Sequence, residues 1–405
     1  MSRTSARPAR VWSAWRVVAG FGVVSLAADM VYEGARSIYG PLLGILGASA
    51  MVVGLVSGAG EAMALLLRLL SGTLADRTGR YWALTLAGYA LTAVCVPLLA
   101  VTPFLGSAGL VLAIVLILAE RIGKAVRSPA KSALLAEAAG RVGLGRGFAV
   151  HKALDQIGAF AGPLVVAGLI AATGAVWPGL ALLVVPGAVA VGLLMWIRLR
   201  TPDTADEPVT APAAGAGKVA AWFGADLPRP FFLFAAAAGA ATAGLATYGL
   251  ISFHAERNGL VPLAAVPLLY AAAMASAAVA ALVSGWLFDR WHARVLYALP
   301  VLGAAVPVLV FTGPVLAVVS GVLLWGAATG VQDSTVKALV ADLVAKPRRA
   351  GAYGVFAAVQ GAAALAGGAL AGALYETSRT ALVVVLTLAQ LVALILLIGT
   401  VRRTG

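Results

Sequence analysis

Several ionisable side chains of this chain fall inside long apolar runs, where their presence calls for a reason. Asp29, Glu33 and Arg36 stand at i, i+4 and i+7, which on a helix places them within about 60° of one another. Glu61 and Arg68 repeat the seven-residue spacing. Glu120, Arg121, Lys124, Arg127 and Lys131 would share a helical stripe of about 120°, and His151, Lys152, Asp155 and Gln156 follow. A charge held in hydrocarbon is costly unless it faces a partner or a cavity, so each is a functional candidate. Two chemistries suit such a set. A carboxyl out of water holds a proton more readily, an effect that a neighbouring guanidinium opposes, and buried basic groups recognise a charged solute. The candidate proton-coupling residues are Asp29, Glu33 and Glu61. The candidate solute-binding residues are Arg36, Glu120, Arg121, Lys124 and Asp155, joined by Tyr248 and Gln332 from later in the chain.

Plainer accounts exist for some of these. Pairing within one helix explains Arg36 and Arg68, and a place at the membrane surface explains Arg127, Lys131 and Lys152. Asp333 with Lys337 at i+4 forms a self-contained pair. Trp325, Tyr248 and Tyr270 either touch solute or serve as packing and interface aromatics. Catalysis is not expected, because His151, His254 and His292 lack metal-ligand spacing and no nucleophile–base set stands out. The single cysteine, Cys95, precludes an internal disulfide and a thiolate metal site. No cofactor or resident metal is expected. A divalent cation carried by Asp29, Glu33 and Glu61 is the nearest alternative cargo, although hard cations want several oxygens in one place.

Helices must carry these residues. The 405 residues are 61% apolar and only 11% charged, with mean hydropathy +0.98. Soluble domains carry about 25% charged residues, so lipid has to solvate this chain. The formal charge of +13 would otherwise suggest nucleic acid; here the charges sit between apolar runs, and no nucleic-acid partner is expected. Forty-seven glycines fit helices that approach closely. At about 20 residues per crossing, the pattern predicts an all-α membrane protein with twelve spans, at roughly 15–38, 49–74, 81–101, 108–131, 148–172 and 178–198. The second six fall at roughly 231–253, 263–287, 294–311, 314–338, 351–373 and 380–400. Residues 1–198 and 231–405 then form two halves, and the Pro- and charge-rich 199–230 a linker. The basic start, 1–10, runs into a first helix with no cleavage site. Arg77, Arg80, Arg141, Arg146, Arg198, Arg290 and Arg294 fall on the side of both termini, and Arg257 and Arg379 on the other. That asymmetry predicts cytoplasmic termini in a multi-pass plasma-membrane protein.

The halves repeat one motif. Ser71-Gly72-Thr73-Leu74-Ala75-Asp76-Arg77 returns as Ser284-Gly285-Trp286-Leu287-Phe288-Asp289-Arg290, and 126–137 returns as 331–342. Two parallel repeats about an axis along the membrane normal are a transporter architecture. Gly72-x-Leu74-Ala75-Asp76-Arg77-x-Gly79-Arg80 resembles the signature loop of the major facilitator superfamily, between its second and third helices, with Tyr81 where a last basic residue is usual. The resemblance implies a cytoplasmic gate formed by Gly72, Asp76, Arg77, Gly79 and Arg80, with Asp289 and Arg290 as its weaker copy. Asp76 would cap or pair with a neighbouring helix end. Gly158, Gly162 and Pro163 resemble the helix-five motif of exporters in that family, although Val165 and Val166 replace its usual glycine pair.

The resemblance implies a cavity between helices one, four, seven and ten, and a monomer exchanging a small organic solute for protons by alternating access, in the efflux direction. Solute and proton would compete for one site. Arg121 and Lys124 lie nearer the cytoplasmic end than the helix-one carboxylates, which favours an anionic or zwitterionic solute. A receptor or intramembrane enzyme is the reading from another class, and the internal repeat argues against it.

Overall fold

The computed structural model describes residues 12–201, 227–344 and 349–404. These form helices joined by short turns, with no strand among the described residues. The basic start and most of the expected linker, 202–226, lie outside them, as does the side chain of Lys337.

In the first half, α1 (Ala14–Arg36) breaks at Ser37, whose hydroxyl donates to Gly34 O at 2.6 Å, and resumes as α2 (Tyr39–Ile45). Ser49 caps α3 (Ala50–Thr78) by accepting the Val52 N–H at 3.3 Å. Gly79 ends α3 in the left-handed conformation, φ 65°, its N–H donating to Ala75 O at 2.9 Å. The turn before α4 (Tyr81–Leu98) is therefore only Gly79 and Arg80. Ala75 to Arg77, beyond the expected span 49–74, continue the helix as its last turn, so most of the motif is helical rather than a loop. Next come α5 (Ser107–Gly140), α6 (Leu144–Thr173), α7 (Trp177–Leu182) and α8 (Val184–Arg200). The second half has α9 (Arg229–Gly244), α10 (Tyr248–Arg257), α11 (Ala265–Trp291), α12 (Ala298–Thr312), α13 (Val315–Leu343), α14 (Arg349–Thr377) and α15 (Arg379–Thr404).

Ten stretches are long and apolar enough to cross a membrane. One of them, 265–312, has 48 residues; as a single helix it would measure about 72 Å, more than twice the apolar thickness of a bilayer. It is broken after Trp291, where His292 adopts φ 48°. α5 has the length to cross, at 34 residues, but Glu120, Arg121, Lys124 and Arg127 take it out of an apolarity count. The twelve crossings expected from the sequence follow when 265–312 counts as two and α5 as one.

The packing is asymmetric along the membrane normal. One apolar core, including Ile38, Leu42, Phe253, Tyr270 and Leu382, draws on both halves at the end away from the termini. At the terminus end the cores are separate. Phe21, Trp82 and Leu194 belong to one and Phe234, Phe356 and Leu397 to the other. The halves touch along α3–α14, α6–α11 and α2–α10. At the shared end Gly40 lies so close to Gly249 and Ser252 that no Cβ would fit, and Glu376 Oε1 accepts the Ala50 N–H at 2.7 Å. A cavity of about 450 Å³ lies between the halves. It runs from Tyr39, Leu43 and Ser57 near the sealed end to Arg68, Asp333 and Tyr353 toward the terminus end.

Candidate solute and proton site

Three first-half helices bring their charges to one cavity wall. Arg36 on α1 donates to Glu61 Oε1 on α3 at 2.6 Å, and lies 4.0 Å from Glu33. Arg121 on α5 stands 3.6 Å from the same Glu61 oxygen and 3.8 Å from Glu120. Lys124, one turn on, places Nζ 3.7 Å from Glu33 Oε1. The result is a network of three cations and three carboxylates, formally neutral. Arg36, Glu61, Arg121 and Lys124 line the cavity itself. Glu33, 8% exposed, and Glu120, 0% exposed, stand behind them. One Glu120 oxygen, Oε2, has no hydrogen-bond partner. Charges this deep persist only because each has an opposite neighbour.

Tyr32 organises this wall. Its ring lies 3.2 Å from Lys124 Nζ and 4.8 Å from the Arg121 guanidinium, and its hydroxyl accepts from Arg121 Nη1. Sequence reasoning missed it, because an aromatic in an apolar run carries no polar signal; its place beside Glu33 and three residues after Asp29 was the available clue. Opposite, Tyr270 on α11 donates its hydroxyl hydrogen to Glu33 Oε2, joining the halves at the network.

Asp29 and Asp155 are placed elsewhere. They face each other at the α1–α6 interface. Ser25 donates to Asp155 Oδ1 at 2.7 Å and Lys152 to Oδ2 at 2.6 Å, while Lys131 Nζ lies 3.4 Å from the Ser25 hydroxyl. Neither aspartate lines the main cavity. Close approach at this interface depends on Gly158 and Gly162, where a Cβ would run into the α1 backbone at Leu26 and Met30. Pro163 is buried beside them within α6.

Arg127, expected at the membrane surface, is instead 4% exposed. Its guanidinium lies 4.6 Å from the Tyr89 ring centroid and donates to the Thr92 hydroxyl, so α4 supplies the partners that water would have given. Lys152 is exposed, as expected.

The second-half wall is mostly uncharged. Tyr248 lines the cavity but donates its hydroxyl to Val266 O at 2.7 Å, leaving its ring face for contact. Trp325 likewise donates to Ala246 O at 2.9 Å and sits 5.5 Å from the Tyr248 ring. Gln332 and Gln360 both reach the Thr242 hydroxyl, at 3.4 and 3.5 Å. Asp333 lines the same wall.

The expected gate residues lie apart from the cavity. Asp76, Arg77 and Arg80 are exposed, and Asp76 Oδ1 accepts from the Tyr81 hydroxyl at 3.1 Å, at the start of the next helix. A Cβ added at Gly72 would meet Pro129 of α5 at an ordinary 3.6 Å. Asp289 and Arg290 are exposed, with Arg290 over the Trp286 ring at 4.0 Å.

Known proteins resemble this chain in sequence or in fold. An uncharacterized protein of Mycobacterium tuberculosis is 52% identical over 402 residues, covering 98% of this chain and 95% of its own, and one of Mycobacterium bovis matches equally. The nucleoside transporter NupG superposes with TM-score 0.72 at 14% identity, over 95% of this chain and 98% of its own. A bacterial homologue of the iron transporter ferroportin, in an inward-facing state, gives 0.72 at 13%, over 96% and 99%. A POT family transporter bound to a thioalcohol-conjugated peptide gives 0.76 at 13%, over 96% and 97%. At such identities the likeness speaks for the fold alone. The sequence profile of the Major Facilitator Superfamily matches residues 21–323 and 261–404, and the chain, a multi-pass membrane transporter, belongs to that superfamily.

Proposed function

We propose that the chain is a proton-coupled secondary active transporter that carries a small organic solute by alternating access, with Glu33 as the proton-binding group. One observation carries this reading: Glu33 touches Arg36 and Lys124 in its own half and Tyr270 of the other half, so its charge bears on the solute wall and on the inter-half contact together. Asp29 and Asp155, which face each other between α1 and α6, are the second candidate for a proton. The protein works as a monomer in the plasma membrane with cytoplasmic termini, so a cavity sealed at the far end is inward-open. The two halves, 1–198 and 231–405, rock about the network while 199–230 tethers them.

Proton and solute at one neutral network are coupled as exchange or as joint loading, according to the charge of the solute. Exchange in the efflux direction is the variant that the α6 glycines support by resemblance. Divalent cation export fits less well, because Glu33 and Glu61 face Lys124 and Arg36 while Asp29 faces Asp155. The test is movement of a broad compound panel into proteoliposomes under an imposed pH gradient. Gradient-dependent accumulation of an organic compound supports the reading. Accumulation of divalent metal alone, or gradient-independent movement of every compound carried, rejects it.

A further inference from the structure

The two cavity walls differ in kind, and the difference names a class of solute. On the first-half wall the lining side chains Arg36, Arg68, Arg121 and Lys124 face the cavity, with Glu61 as the only lining carboxylate there among the described residues. Glu33 and Glu120 are recessed. Arg68 Nε is buried without a hydrogen-bond partner, and Asp333 and Glu61 are the carboxylates whose charge bears on this guanidinium. Tyr39, 6% exposed, presents an unpartnered hydroxyl at the sealed end of the same cavity. The second-half wall offers ring faces, from Tyr248, Trp325, Tyr353 and Phe356, with Asp333 as its one charged lining side chain among the described residues. A cavity of about 450 Å³ falls in the usual range for drug-sized ligands, roughly 300–1,000 Å³.

We propose that the solute is an amphipathic organic monoanion, a carboxylate on a flat apolar body, and that it binds together with a proton. Its carboxylate lies against Lys124 and Arg121, and its body against the Tyr248–Trp325 ring faces. The proposal rests on the transport reading and departs from exchange in the sign of the coupling.

Charge balance sets that sign. With every group ionised, Arg36, Arg121 and Lys124 balance Glu33, Glu61 and Glu120. Glu33 is the single carboxylate within 4 Å of Lys124 among the described residues. An incoming carboxylate that takes Lys124 from Glu33 leaves Glu33 among buried groups, where taking up a proton neutralises it at least cost. The groups that bear on it are Asp29 and Arg36 on α1, Glu61 on α3, and Glu120, Arg121 and Lys124 on α5. Tyr270 on α11 completes the set. One anion and one proton leave the network as neutral as before. A cation in the same place would expel a proton instead, which is the exchange expected from the sequence.

Three matched probes test this in the purified full chain: 1-naphthaleneacetate, its neutral primary amide, and 1-naphthylethylamine. Calorimetry in two buffers of different ionisation enthalpy counts the protons that accompany binding. The expected result is that the carboxylate binds at least tenfold more tightly than the amide or the amine, takes up close to one proton, and tightens as pH falls. Lys124→Gln should weaken the carboxylate at least tenfold while changing the amide less than threefold. Glu33→Gln should abolish proton uptake. Preference for the amine, proton release, or no binding of any probe at millimolar concentration overturns the proposal. The first two comparisons use unaltered protein, so they stand even where a variant fails to fold. Carboxylate binding with proton uptake but without pH-driven transport would keep the site and remove the transport reading. Transport of the amine alone would do the reverse.

Discussion

Tyr270 on α11 hydrogen-bonds Glu33 on α1, joining the two halves. Both are buried, and the bond sits beside the apolar core that the halves share at their sealed end. A hydrogen bond to a charged group contributes about 1.5–3 kcal/mol, and this one exists only while the halves stay together there. It therefore biases the equilibrium between the sealed and opened far end.

Removing that bond should be visible as a shift in population. Spin labels at Ile45 and Arg257, at the far ends of α2 and α10, report the separation. Tyr270→Phe should move roughly ten times more of the protein into a longer-distance population, in line with the loss of about 1.4 kcal/mol. An unchanged distance distribution would mean that the bond does not hold the seal.

The α1–α6 interface gives a packing prediction. Gly158→Ala pushes a methyl into the Leu26 backbone, and overpacking costs about 1–3 kcal/mol. Its apparent melting temperature in detergent should fall by several degrees. Gly168→Ala, with nothing within 4 Å of its Cβ, should be neutral or slightly stabilising. Equal behaviour of the two variants would contradict the interface described.

Much of this was legible in the sequence. Apolar runs located the helices because a bilayer sets one length for all of them, and the charged stripe of α5 announced a cavity wall. Three things were hidden for physical reasons. Periodicity shows which residues share a face of one helix, not which helices meet, so Asp29 was grouped with Glu33 although it faces Asp155. Arg127 reads as a surface residue until the Tyr89 ring and the Thr92 hydroxyl are seen to replace water. Ala75 to Arg77 read as part of a loop because the motif resembles a family's signature loop, whereas the helix runs on until Gly79 ends it.

The gate motif makes its own prediction. Asn at position 76 can still accept from the Tyr81 hydroxyl but lacks the negative charge. Asp76→Asn should lower pH-driven transport several-fold, on the order of 1 kcal/mol, with the protein still inserted. Tyr81→Phe should have a smaller effect, and Asp289→Asn should hurt less than Asp76→Asn. Wild-type rates in Asp76→Asn would remove the latch role.

Orientation can be read in intact cells, with buried Cys95 replaced by serine. A cysteine at Gly174 or Gly313 should react with impermeant thiol reagent from outside, and one at Thr78 should not. The opposite pattern would invert the orientation drawn from positive residues.

The central claim is that Glu33 couples the proton to the solute. Glu33→Gln keeps the shape of the side chain and loses the titration. In proteoliposomes, the variant should fail to concentrate solute under an imposed pH gradient, while counterflow of labelled against unlabelled solute continues within about threefold of wild type. Asp29→Asn, measured alongside, should retain accumulation. If Glu33→Gln still concentrates solute against its gradient, the proton is carried elsewhere, and the account given for Glu33 is wrong.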